Sequence, residues 1–143
     1  MKKLVLGVGF MALAGVALPL SNLIIGPDPE AVKLVANLQD PQHKAAATVF
    51  ANKCLDCHSS ATRMPFYAHA PVAGELIQKD IADGRARLDL SGKLADPAAL
   101  SEVELARIEG VMLNRTMPPL RYVALHWNAM LAPGDEEAIL HWV

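Results

Sequence analysis

The sequence contains few cysteines, few aromatic residues and little charge. Its 143 residues include two cysteines, at positions 54 and 57, whereas a structural zinc site usually needs a second pair of cysteine or histidine ligands. Charged residues make up only 20% of the chain. Beyond residue 26, eleven basic residues stand against fifteen acidic ones, a net charge of −4. These shortages argue against a zinc site and against nucleic acid as a partner.

Strand signals are also missing, because no stretch alternates apolar and polar residues and no repeat occurs. Apolar periodicity predicts helices instead, over residues 30–38, 41–53, 72–88, 100–115 and 133–143. Asp40 before Pro41 is typical of a helix start, and Ser101 with Glu104 forms a capping box. The sequence therefore predicts an all-α fold.

The predicted helices also carry predictions about burial. In the 72–88 helix we expect a buried stripe of four apolar residues, Leu76, Ile77, Ile81 and Leu88, interrupted by Gly84. We further expect the 41–53 helix to pack near the C-terminal one, with Phe50, Ile139 and Trp142 in or beside the core.

A long apolar run stands at the N-terminus. Two lysines precede residues 4–26, which carry no charged side chain and are long enough to span a membrane. The run predicts an uncleaved anchor. A signal peptide cleaved after the small residues 15–17 and a buried core helix are the alternatives. The two lysines before the run, with Asp28 and Glu30 after it, predict a cytoplasmic N-terminus and a periplasmic remainder.

The two cysteines lie three positions apart, and His58 follows the second one directly. A thioredoxin-like dithiol would need a βαβ context, and a disulfide at this spacing would give His58 no role. In covalent haem attachment, each thiol adds to a vinyl group of the porphyrin and the histidine becomes the proximal iron ligand. The motif therefore predicts one covalent haem c, held by Cys54 and Cys57 and ligated by His58.

The far side of the iron has several candidate ligands. Met117 comes first, because the two prolines after it stiffen an extended loop that can present a sulfur atom at a fixed position. The alternatives are a gap-filling role for Met117, an open distal position, or another ligand: Met64, Met130, His69 or His126. Met112 lies on a helical face and is expected in the core.

The runs CLDCHSSATRMPFYAHAPVAGELIQKDIADGRARLDLS and NRTMPPLRYVALHWNAMLAPGDEEAILHW resemble the bacterial haem-binding domain family of small, anchored or exported monohaem c-type cytochromes. The resemblance covers about residues 45–142. It implies attachment at Cys54 and Cys57, His58 as proximal ligand and Met117 as distal ligand. The family tends to show tryptophans and a tyrosine after the haem motif, where this chain has Met64, Phe66 and Tyr67.

Together these patterns predict a small cytochrome c-like helical domain around one covalent haem. Residues 1–26 form the signal or anchor segment, 27–40 a linker and short helix, and 41–143 the haem-binding domain. The predicted function is single-electron transfer to other redox proteins on the periplasmic side of the membrane, without enzymatic activity. The alternative is a haem sensor or peroxidase-like domain with an open or displaceable distal site. A disulfide-linked structural membrane protein is a third class, which the absence of haem would favour.

Overall fold

The computed structural model describes residues 13, 15–24 and 26–143. The described part is helical and contains no strand, which confirms the all-α prediction. Residues 15–24 are helical and are called α1. The other α-helices are α2 (Pro29–Ala36), α3 (Pro41–Lys53), α4 (Leu55–His58), α5 (Pro71–Arg87), α6 (Glu102–Leu113), α7 (Leu120–Val123) and α8 (Pro133–Trp142). Short 3₁₀ turns cover Phe66–His69, Lys93–Ala95, Pro97–Ala99 and Trp127–Ala129.

The caps predicted from the sequence are present. The Asp40 carboxylate accepts a hydrogen bond from the backbone N–H of His43 at 2.6 Å, and Pro41 is the first residue of α3. The Ser101 hydroxyl accepts from the N–H of Glu104, whose carboxylate accepts from the N–H of Ser101. Each cap satisfies helix-terminal N–H groups that would otherwise lack a partner.

The core lies where α3 packs against α8, as the sequence predicts. Phe50 is 3% exposed, and Ile139 is fully buried. The Trp142 ring meets Phe50 edge-on at 5.4 Å between centroids, and it stacks on His43 at 5.8 Å. This contact fixes the direction in which α3 enters the cysteine motif at its C-terminal end.

The predicted apolar stripe of α5 is wrong in part. Leu76 is half exposed, and Ile77 and Ile81 are only partly covered. Within this helix the buried residue is Gly84. The missing apolar contacts come from the stretch between α5 and α6, which buries three leucines, Leu90, Leu94 and Leu100.

The N-terminal helix α1 packs against the helical domain. Pro19 is fully buried, and Asn22 donates hydrogen bonds to the Tyr67 hydroxyl at 2.9 Å and to the Leu125 carbonyl at 2.8 Å. The predicted anchor, residues 4–26, begins in residues 1–12, which lie outside the described part, as do residues 14 and 25. None of the described helices combines the length and the apolar character that a membrane crossing requires.

Candidate haem-binding site

A cavity of about 270 Å³ opens beside the cysteine motif. Cys54, Cys57 and His58 line it together with Met117 and the two prolines that follow. We call it the cysteine cavity. The fold therefore brings the attachment motif and the first distal candidate, 59 residues apart in the sequence, to one place.

The cysteine motif, residues 54–58, is a single tight turn after α3. The backbone N–H groups of Cys57 and His58 both donate to the Cys54 carbonyl, at 3.2 and 3.1 Å. Leu55, between the cysteines, is 8% exposed and points into the core. Burial of Leu55 anchors the turn, so the side chains of the neighbouring motif residues remain available to the cavity.

The ring of His58 is oriented by a backbone carbonyl. Its Nδ1 lies 2.8 Å from the oxygen of Leu88, which only accepts hydrogen bonds, so Nδ1 carries the proton. In a neutral imidazole this leaves a lone pair on Nε2, the nitrogen that a metal would bind. The N–H of Leu90 donates to the His58 carbonyl at 2.7 Å, which holds the same segment against the motif.

Gly84 of α5 touches the motif from the other direction. A Cβ atom built at Gly84 would lie 2.5 Å from the carbonyl oxygen of Cys57, a distance that real Cβ atoms essentially never show. Only glycine therefore lets α5 approach this closely. In the sequence, Gly84 is only an interruption of an apolar stripe, and nothing near it predicts this contact, since its partner lies on another element.

The two cysteines do not form a disulfide, and burial lowers the acidity of both thiols. Burial, reinforced by neighbouring Cys57, raises the pKa of Cys54 to about 12. Burial, reinforced by Asp56, raises the pKa of Cys57 to about 11. Redox-active dithiols depend on a lowered thiol pKa, so these values argue against a thioredoxin-like function.

The methionine segment enters the cavity because α6 ends in a sharp turn. Arg115 has a φ of 50°, in the left-handed region, and the N–H of Thr116 donates to the Val111 carbonyl at 3.1 Å. Met117 then packs, partly buried, against the edge of the core. The Met117–Pro118 peptide bond is cis, and Pro119 directly precedes α7.

A model of the haem-binding domain family matches residues 26–143. The chain belongs to the haem-binding domain family. Haem is accordingly its cofactor, as the sequence resemblance implies.

One curated relative of this haem-binding domain is the cytochrome c peroxidase Ccp of Escherichia coli (strain K12). The two are 32% identical over an alignment of 151 residues that covers 99% of this chain and 32% of the relative. The chain thus spans about a third of the relative's length. No solved structure matches the chain. The prediction that the chain has no enzymatic activity is wrong on this comparison, because the relative is named as an enzyme.

The donor set of the cysteine cavity fits a haem. Cys54 and Cys57 line the cavity with thiols of the kind that bind a porphyrin edge, and His58 has a lone pair on Nε2 that could bind iron. Two methionines, Met117 and Met112, line the same cavity, together with Leu131. Met112 is 5% exposed, so it is a core residue as expected and also a cavity residue, which the sequence analysis missed.

The other distal candidates lie outside the lining of the cysteine cavity. Met64 is 45% exposed and lines a different surface pocket, and Met130 is 61% exposed. His69 closes the exposed 3₁₀ turn Phe66–His69. His126 uses both ring nitrogens: Nδ1 donates to the Tyr122 carbonyl at 3.1 Å, and Nε2 lies 3.1 Å from the Tyr67 hydroxyl.

The sequence analysis also missed the polar residues of the cavity. Asp56 lies between the two cysteines, and its carboxylate accepts a hydrogen bond from the Tyr122 hydroxyl at 2.6 Å. Asp80 of α5 accepts two from the guanidinium of Arg121, at 2.6 and 3.2 Å. Asp56 could have been identified from the sequence because it lies between the two cysteines. No local pattern indicates Asp80, Arg121 or Tyr122 as cavity residues.

Proposed function

We propose that this chain is a monohaem c-type unit that passes single electrons in peroxide reduction. When bound, the haem supplies an iron that alternates between the ferric and ferrous states, one electron at a time. The chain's membership of the haem-binding domain family and its peroxidase relative support this proposal. Because the chain spans about a third of that relative, the proposal takes from it electron delivery and leaves the activity of the whole relative aside.

In this proposal the haem is covalently attached, one per chain. Cys54 and Cys57 would hold the haem through two thioether bonds, each formed by adding one S–H across the C=C of one vinyl group. His58 supplies Nε2 to the iron, and the hydrogen bond from Nδ1 to Leu88 fixes the ring and its tautomer. Gly84 keeps α5 against the motif and thereby encloses the attachment turn.

Met117 is the distal ligand in this proposal. The observation that carries it is the shared cavity: Met117 lines it with His58 and both cysteines, whereas Met64, His69 and His126 do not. A thioether ligand raises the reduction potential relative to a second histidine. A ligated methionine also closes the distal position, which suits electron transfer.

A second candidate function is peroxide reduction at this same site, and the name of the relative favours it. It requires the distal position to open to peroxide. The two functions differ in a measurable way. An electron-transfer unit keeps its distal ligand in both oxidation states, whereas a peroxidase site consumes peroxide when supplied with a reductant.

We also propose that residues 4–26 hold the domain at the periplasmic face of the membrane, where other redox proteins are its partners. The described part of this run supports the proposal through an exposed apolar face on α1, opposite the buried Pro19 and Asn22. The side chains of this face are Val16, Leu20, Leu23 and Ile24. The mass of the mature protein tests whether residues 4–26 form an anchor, since cleavage after Ala17 would remove most of this run.

The central test is the substitution Met117→Ala in protein matured by cells that attach c-type haem. The intact mass should exceed that of the polypeptide by one haem. The variant should lose the weak near-infrared sulfur-to-iron band of the ferric protein, and its potential should fall, while the haem stays attached. Met130→Ala is the matched control, because Met130 is exposed and lies off the cavity. If Met117→Ala keeps the band, Met117 is not the ligand and Met112→Ala is tested next.

A further inference from the structure

The helix α7, which follows the Met117 segment directly, is held to the cavity walls by two adjacent side chains. Arg121 reaches Asp80 on α5, and Tyr122 reaches Asp56 inside the attachment motif. All four residues line the cysteine cavity. One side chain of α7 is therefore tied to each of the two elements that surround the haem attachment turn.

These ties matter because α7 has little else to hold it. It is a single turn of four residues, and an isolated turn is unstable without tertiary contacts. Its first residue, Leu120, is 87% exposed, and none of its residues is fully buried. The position of α7 thus depends on Arg121 and Tyr122.

The two ties differ in strength. The side chain of Arg121 is 62% exposed, and exposed ion pairs contribute little. The Tyr122 hydroxyl donates to a carboxylate at 2.6 Å in a partly buried position, where such charge-assisted bonds are strong. Its ring also stacks on His126, with centroids 4.0 Å apart and planes 9° apart. Burial and the neighbouring Asp56 carboxylate raise the pKa of Tyr122, so the hydroxyl keeps its proton and remains the donor.

The connection from α7 back to Met117 is stiff. Pro118 and Pro119 separate them, and each proline ring fixes its own φ. The two fixed φ angles reduce the freedom of the backbone to absorb a displacement of α7 before it reaches Met117.

We propose that Tyr122 and Asp56 are positioning residues that form a latch holding Met117 over the cavity. With the latch closed, the distal position is occupied and the unit transfers electrons. With the latch open, the distal position accepts a small exogenous ligand. This inference rests on the proposed role of Met117 and adds to it the contact that decides between the two functions.

The test uses the holoprotein with Tyr122→Phe, which removes one hydroxyl and keeps the ring that stacks on His126. Tyr67→Phe is the matched control, because Tyr67 also loses hydroxyl hydrogen bonds but does not line the cavity. Three quantities are measured: the near-infrared sulfur-to-iron band, the affinity of the ferric protein for imidazole, and the hydrogen exchange of residues 116–123.

Tyr122→Phe should weaken the band, speed the exchange of residues 116–123 and raise the imidazole affinity roughly tenfold to a hundredfold, as loss of a charge-assisted hydrogen bond predicts. Tyr67→Phe should leave all three close to the parent values. Asp56→Asn keeps an oxygen acceptor for the Tyr122 hydroxyl, so it should fall between the parent and Tyr122→Phe. This partial rescue distinguishes a positioning role from general loss of stability.

Three negative results are distinguishable. If Met117→Ala raises the imidazole affinity and Tyr122→Phe does not, the latch is wrong and the ligand assignment stands. If Met117→Ala itself changes neither band nor affinity, the proposed ligand is wrong. Faster exchange in Tyr122→Phe with unchanged imidazole affinity also overturns the latch, because α7 would then move without opening the distal position.

Discussion

Gly84→Ala is the most direct test of how α5 packs on the attachment motif. The added methyl group would lie 2.5 Å from the carbonyl oxygen of Cys57. This oxygen belongs to the backbone of a turn that Leu55 fixes in the core, so it has no rotamer by which to move away. The contact therefore has to be relieved by shifting α5 or the turn itself.

Two terms set the magnitude. Overpacking a well-packed site costs about 1–3 kcal/mol, whereas replacing glycine by alanine inside a helix gains about 1 kcal/mol from intrinsic propensity. Gly110, in α6, isolates the second term, because a Cβ atom there meets no atom within 4 Å. Gly110→Ala should stabilise the protein by about 1 kcal/mol. The two variants should therefore differ by about 1–3 kcal/mol in the free energy of unfolding.

The assay is denaturant unfolding of both holoproteins at one pH, followed by far-ultraviolet circular dichroism and by haem absorbance. A Gly84→Ala protein that gains as much stability as Gly110→Ala would refute the close approach of α5 to Cys57. A change of slope instead of midpoint would indicate an altered unfolded state, and the comparison would then be repeated by calorimetry.

Three further predictions concern the core, acid stability and haem attachment. Phe50→Ala should lower the free energy of unfolding by about 3–5 kcal/mol, measured by denaturant, because the ring is buried against Trp142. The hydrogen bond from Lys93, followed by that from the N–H of Ser101, lowers the pKa of Glu104 to about 2 from 4.5. The ionised Glu104 therefore contributes to the free energy of unfolding above pH 4.5, and this contribution is lost as the pH falls towards 2. The unfolding midpoint of Glu104→Gln should accordingly decrease less than that of the parent protein over this pH range. Cys57→Ala should leave one thioether and sharply lower the holoprotein yield, as haem-stained gels and intact mass would show; a normal yield with full haem would contradict the attachment motif.

Local features were predictable from the sequence because the interacting groups lie within one helical turn of each other. The cap at Asp40 and the capping box of Ser101 and Glu104 join residues three positions apart, and the structure contains both. The cysteine motif is local in the same sense. Its spacing alone indicated haem, and the family comparison supports a haem cofactor.

The tertiary structure decided which distant groups meet these local features. The Leu88 carbonyl that orients His58 lies 30 residues away, and Tyr122 meets Asp56 across 66 residues. Apolar periodicity in α5 predicted a buried face, yet the closest approach of this helix to the cysteine motif is at Gly84, which has no side chain. Side-chain spacing along the sequence determines which groups lie together on one helical turn, whereas the packing of separate helices determines which distant residues those groups contact. For this reason the sequence determined the cysteine motif, and only the fold placed the Met117 segment in the same cavity.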